Sequence, residues 1–225
     1  MFHVEQKIEF LQIITAELKI PIIADQIEKL LQYADLIKDW NKRVHLISKN
    51  DIDFVLERHI VPSLFFVKIL QNDESIGKKG ILDLGTGAGL PGCVVSILKP
   101  DWSVILLDSS RKKTLFLKQV KKTLKLSFSV VCARYEEYVE NNTKQMDWIV
   151  ARAVAPLGQL IQLVAPQLRE GTKLLTLKGK NFSDELQRSE LDEFQIASWA
   201  FEELSNENEI SFKNKCLLKV EKAYG

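Results

Sequence analysis

Gly85, Gly87 and Gly89 alternate, Gly92 follows, and two acids, Asp83 and Asp108, flank the run. These are the residues of the chain best suited to chemistry. Glycines at this spacing let the backbone turn tightly and come bare against a ligand. Gly87-Ala88-Gly89-Leu90-Pro91-Gly92 has the GxGxxG spacing of nucleotide sites, which alone does not choose the ligand. Asp83 adds information. A carboxylate two residues before the first glycine is expected near a helix N-terminus, where a pyrophosphate would otherwise bind. It would repel that anion and suit a cationic, phosphate-free ligand; the alternative is that it only caps a turn. Asp108 is placed to bond ribose hydroxyls. Arg134-Tyr135-Glu136 and Arg152 fall where the chain leaves further apolar runs.

The elements that must hold these residues follow from the apolar pattern. Ile81 to Leu84 reads as a buried strand ending at the glycines. Pro91 suits the first turn of a helix whose apolar side is Val94, Val95, Ile97 and Leu98. Val104 to Leu107 is a second strand with Asp108 at its tip, so the unit is half of a nucleotide-binding α/β fold. An adenosine ligand carrying an ammonium and a sulfonium, S-adenosylmethionine, meets every requirement of that loop. Ser109 is expected to cap a helix running to about Thr123, with Leu115, Phe116, Val120 and Leu124 towards the sheet. Arg111, Lys112, Lys113, Lys118, Lys121, Lys122 and Lys125 share that segment, either as an ordinary solvated face or as a local phosphate-binding cluster. Further strands are expected at 127–131, 148–151, 172–177, 194–204 and 216–220, with helices at 134–139, 156–168 and 184–191. Alternation of this kind implies a mostly parallel sheet covered on both faces, with its ligand at the carboxyl ends of the strands.

Upstream, helices are expected over 4–19, Asp25 to Lys42, a stretch capped by Asn50 or Asp51 and ending at Glu57, and a stretch from Pro62 to about Leu70. Gln71 to Gly80 is polar and reads as a hinge. Residues 1–72 are therefore expected to form a helical region packing on an α/β body of 73–225. The 225 residues, 46% hydrophobic, suffice for one sizeable domain with a modest addition, and a net charge of +1 means that any nucleic-acid site must be a local patch. The cysteines, Cys93, Cys132 and Cys216, lack metal-ligand spacing and fit a reducing cytoplasm. No apolar run is long enough for a bilayer, and His3, His45 and His59 form no metal set.

The chain resembles the RsmG (GidB) family of class I methyltransferases, which methylate N7 of a guanine in bacterial 16S ribosomal RNA. The resemblance rests on Asp39-Trp40-Asn41-Lys42, Arg58-His59, Asp83 to Gly92, Leu107-Asp108-Ser109 with Arg111-Lys112-Lys113 and Phe116-Leu117, Arg134-Tyr135-Glu136-Glu137, Ala151-Arg152-Ala153 and Leu177-Lys178-Gly179. It implies a Rossmann-like seven-stranded sheet with an antiparallel strand at one edge. S-adenosylmethionine would be the cofactor, and 16S ribosomal RNA or the small subunit the partner of a cytoplasmic monomer. Its cofactor contacts match Gly85, Leu90, Tyr135, Glu136 and Arg152, beside Gly87 and Asp108 from the loop itself. Leu90 would cover an apolar face, and Tyr135-Glu136 would lie against the adenine. Where the family has Asp-Ser after Arg-His, this chain has Pro62-Ser63.

Guanine N7 carries a lone pair and no proton, so it needs no general base. Alignment would then dominate, and no catalytic residue or metal is expected. Two other readings stay open: a non-catalytic RNA-binding or assembly module, and a nicotinamide-dependent reductase, for which no Tyr-x-x-x-Lys pair exists.

Overall fold

A computed structural model describes residues 4–73, 80–142, 145–185, 193–200 and 214–223. The helices α1 (Val4–Glu17) and α2 (Ala24–Asn41) come first. A 3-10 turn, Lys49–Phe54, then runs through one π-helical turn, Leu56–Ile60, straight into α3 (Val61–Gln71). The two helices expected here are thus one continuous rod, capped by Ser48 rather than Asn50 or Asp51; the Ser48 hydroxyl accepts from Asn50 N at 3.3 Å. Residues 74–79, most of the expected hinge, lie outside the described residues.

Next come β1 (Gly80–Leu84), α4 (Gly92–Leu98), β2 (Ser103–Leu107), α5 (Arg111–Leu124), β3 (Ser129–Val131), α6 (Tyr135–Asn141), β4 (Trp148–Arg152), α7 (Leu157–Arg169), β5 (Lys173–Gly179), β6 (Phe194–Ala200) and β7 (Lys215–Lys222). The helix expected at 184–191 is a 3-10 turn at Phe182–Glu185, its remainder outside the described residues. The sheet has seven strands in the order β3-β2-β1-β4-β5-β7-β6. Its first five members run parallel, whereas β7 is antiparallel to both neighbours. The antiparallel strand is therefore not at the edge, as expected, but one place in. Cys216, Leu217, Leu218 and Val220 of β7 are buried, while β6 exposes Gln195, Ser198 and Trp199, so the more apolar strand takes the interior place.

Alternation along the strands divides the core into two layers. Ile81, Val104, Leu106, Trp148 and Val150 face α1 to α5, and Leu82, Leu84, Leu107, Ile149 and Ala151 face α6 and α7. The N-terminal helices share the first layer with the sheet. Gln26 of α2 donates to Ile97 O at 3.0 Å, and Trp40 lies 5.5 Å from Phe116 of α5, ring to ring. On α5 the buried set is Thr114, Phe116, Leu117, Val120 and Leu124; Leu115, expected inside, is 60% exposed. Ser110, not Ser109, caps this helix, accepting from Lys113 N at 3.5 Å.

Candidate functional site

Strand β1 pairs with β2 on one side and β4 on the other, so the chain reverses its winding at β1. Such a switch point opens a crevice at the carboxyl ends of the strands. The residues there are Gly85 to Gly89 after β1, Asp108 after β2 and Arg152 ending β4. Leu84 is in register with Ala151, so Gly85 leaves β1 at the level where β4 ends in Arg152.

The glycine loop needs its glycines. Gly85, Gly87 and Gly89 have φ of +62°, +59° and +94°, conformations that penalise side chains. At Gly89 a Cβ would meet Cys93 Sγ at 2.5 Å, Leu117 Cδ2 at 2.8 Å and the Tyr33 hydroxyl at 2.9 Å. At Gly92 it would meet Leu106 Cδ2 at 2.2 Å, so α4 lies directly on β2. Gly87 differs, having only Gly85 O, at 3.9 Å, within reach of a Cβ. Space is open beside its backbone, and this open cradle is what an adenosine-type cofactor requires.

Asp108 is 8% exposed and fixes that cradle, its Oδ2 accepting from Gly87 N at 2.9 Å and its Oδ1 from Ser110 N at 2.8 Å. Tyr33 of α2 fixes it from below by donating to Ala88 O at 2.6 Å. Tyr33 was not singled out from sequence. The available signal is that it is a tyrosine on the same helical stripe as Leu30 and Ile37.

Asp83 does not face the crevice. It shares the strand face of Ile81 and points under α4, fully buried. Its Oδ2 accepts from the Thr86 hydroxyl at 2.6 Å and from Gly92 N at 2.7 Å, while Oδ1 is buried without a partner. Burial pushes this carboxyl up to about 7, despite those hydrogen bonds. The direct attraction to a cation expected of Asp83 is therefore replaced by an internal cap, which occupies an amide at the start of α4.

Leu90 is only 6% exposed and packs in the first core layer, leaving little side chain to cover a ligand. The Tyr135 ring turns away as well. Its hydroxyl donates to Gln167 Oε1 at 2.7 Å and lines a cavity of about 300 Å³ with Met146 and Thr172, towards the amino ends of the strands. Any adenine contact at Tyr135 must therefore come from backbone, whereas Glu136 is exposed.

Arg152 shares the strand face of Trp148 and Val150 and so points at the N-terminal helical layer. Its Nη1 donates to His59 O at 3.2 Å and its Nη2 to Arg58 O at 3.0 Å, with His59 Nδ1 at 2.9 Å from Nη2. Asp147 does not reach it and instead accepts from Gly80 N at the far end of the sheet. The contact with Arg152 requires His59 Nδ1 to be the acceptor. His59 Nε2 sits 3.3 Å from Asp51 Oδ2 without closing a hydrogen bond. Burial and the Arg152 charge lower the His59 pKa to about 4, against the pull of Asp51. Burial lowers that of Arg152 to about 10, which leaves it a cation near neutrality. Asn41 is structural, its Oδ1 accepting from Leu46 N and Ile47 N at 2.8 and 3.0 Å.

The family model described as GidB, rRNA small subunit methyltransferase G, matches residues 26–209. The ribosomal RNA small subunit methyltransferase G of Clostridium kluyveri is 33% identical over 188 residues, 80% of this chain and 76% of that relative. Its namesake from Desulfitobacterium hafniense is 36% identical over 175 residues, 76% of this chain and 71% of that one. Among solved structures, a mutant of MtNAS in complex with S-adenosylmethionine superposes with a TM-score of 0.55 at 13% identity. It covers 87% of this chain and 75% of that one, and shows the shared fold alone. On the family match and these identities, the chain belongs to the GidB family, rRNA small subunit methyltransferase G.

Proposed function

We propose that this protein transfers the methyl group of S-adenosylmethionine to N7 of a guanine in 16S ribosomal RNA, acting as a cytoplasmic monomer on the small-subunit RNA. The observation that carries the reading is the open glycine cradle at the sheet's switch point, in a chain of this family. Gly85, Gly87, Asp108, Glu136, Arg152 and the backbone at Leu90 and Tyr135 would hold the cofactor, which supplies a methyl group on a positively charged sulfur. The Asp83 cap argues against a dinucleotide, because it already satisfies an amide that a pyrophosphate would use.

Guanine N7 attacks with its own lone pair, so the chain's task is to orient, not to move a proton. Asp108 keeps Gly87 at a fixed height through its amide, and Tyr33 keeps Ala88 in place from α2. Both act before any ligand arrives, which is the kind of preorganisation that alignment-driven transfer needs. The basic face of α5 offers phosphate contacts. Arg111, Lys112, Lys118, Lys122 and Lys125 are exposed, and the helix starts just beyond Asp108 at the crevice.

The test is transfer of labelled methyl from S-adenosylmethionine to deproteinised 16S ribosomal RNA and to small subunits. Label in a guanine of either substrate supports the reading, and no label in both overturns it.

A further inference from the structure

We propose that Phe54 and Arg58 form a platform on which an unpaired base of the substrate RNA stacks, next to the base to be methylated. This rests on the RNA-methylating reading above. The Phe54 ring is 46% exposed, and the Arg58 guanidinium lies over it, 4.4 Å from the ring centre. Arg58 is held there by donating from Nη1 to Asp51 Oδ1 at 2.7 Å and to Asn50 O at 3.1 Å, yet its side chain remains 43% exposed. A planar cation fixed on an aromatic ring is a surface that nucleobases stack on, and it tolerates any base because each has a π face.

Position supplies the second argument. The backbone carbonyls of Arg58 and His59 are the groups that accept from Arg152 at the tip of β4, level with Gly85. The turn that carries the stack is therefore tied to the strand end at which the crevice opens. Its mount is rigid, because Val55, Leu56 and Ile60 on the same turns are buried. The π-helical turn carrying Arg58 is itself a geometry that recurs at functional sites. Charge agrees with a polyanionic strand. Lys49, at the start of the 3-10 turn that carries Phe54, is exposed, and the Asp51 carboxylate is paired with Arg58, leaving Asp53 as an exposed acid beside Phe54 in the chain.

Fluorescence anisotropy with a labelled single-stranded oligoribonucleotide from 16S RNA, and with its duplex, tests the platform. S-adenosylmethionine calorimetry and methyl transfer run on the same samples. Phe54→Ala should weaken single-strand binding roughly tenfold, within the range of one lost base stack. It should leave duplex binding and cofactor affinity unchanged, and Phe54→Trp should restore the loss. Should Phe54→Ala lower Tm, Arg58→Met keeps an apolar stem on the ring and removes the planar cation, with a similar loss expected. Wild-type-like single-strand binding in both variants, or equal weakening of single strand and duplex, overturns the platform. If the wild-type protein binds RNA but methylates none, the functional reading falls by a separate result.

Discussion

The side chain of His59 adds to the link between the N-terminal rod and Arg152 only while it is neutral, because its Nδ1 must accept from the guanidinium, whereas the carbonyls of Arg58 and His59 accept in either state. Its side chain is 12% exposed, and its pKa is lowered from 6.5 to about 4. An imidazole whose pKa is depressed on folding stabilises the fold fully above the unfolded value, and that stability is lost as pH falls towards the folded value. The window is therefore pH 6.5 down to about 4. At about 1.4 kcal/mol per pH unit, the loss across it is about 3 kcal/mol. Asp83 acts in the opposite sense. Burial raises its pKa from 3.8 to about 7, so its contribution is lost as pH rises through that range. The two slopes overlap, and a pH profile of the wild-type protein alone does not separate them. His59→Asn does, since Asn does not titrate and can place an amide oxygen near the Nδ1 position, while Asp83 stays common to both proteins. Urea unfolding of the pair at pH 7, 6, 5 and 4 should show the variant gaining about 3 kcal/mol relative to wild type as pH falls. A difference independent of pH would refute the neutral, Arg152-bound imidazole.

Other outcomes follow from the same contacts. Gly89→Ala should cost about 2–5 kcal/mol in chemical unfolding, combining a disfavoured positive φ with overpacking against Cys93, Leu117 and Tyr33; a loss below 1 kcal/mol would mean the loop relaxes freely. Tyr33→Phe removes the hydrogen bond to Ala88 O and should raise the S-adenosylmethionine Kd about three- to tenfold in calorimetry, as for a net bond of about 1 kcal/mol; unchanged affinity would separate α2 from the cradle. Arg152→Ala strips the hydrogen bonds from the carbonyls of Arg58 and His59, so it should lower stability by about 2–4 kcal/mol as well as impair the site. Full retention of Tm and activity would remove Arg152 from both roles. Lys112→Glu with Lys118→Glu should weaken RNA binding and flatten its salt dependence. An unchanged slope would make the face plain surface. Lys113 is left alone because its Nζ lies 3.9 Å from Asp108, a proposed cofactor contact.

The unit from β1 to β2 was legible because its signals are local. A short apolar run, alternating glycines, a proline and a terminal acid all sit within 30 residues. The same holds for α2, whose stripe from Ile27 to Ile37 repeats over several turns. What failed depended on which way a side chain points or on distant partners. Asp83 does stand at the start of α4, but strand alternation puts it on the face of Ile81, beneath the helix, and not towards a ligand in the crevice. The partners of Arg152, the carbonyls of His59 and Arg58, are 93 and 94 residues away, and nothing near it in the chain announces them. On α5 a shift of helical phase exchanges Leu115 for Leu117, since three apolar residues in a row, Leu115-Phe116-Leu117, leave the apolar arc ambiguous. The inward place of β7 reflects competition between two strands for burial, which no window along the chain reports.

Methylation of guanine N7 by this protein is read out by mass mapping of 16S ribosomal RNA from cells with and without it. One 7-methylguanosine, present in the first RNA, should be missing from the second and return when the wild-type protein, but not an Asp108→Ala variant, is supplied. Identical methylation in both RNAs, or loss of a methyl group at some other atom than guanine N7, would contradict it.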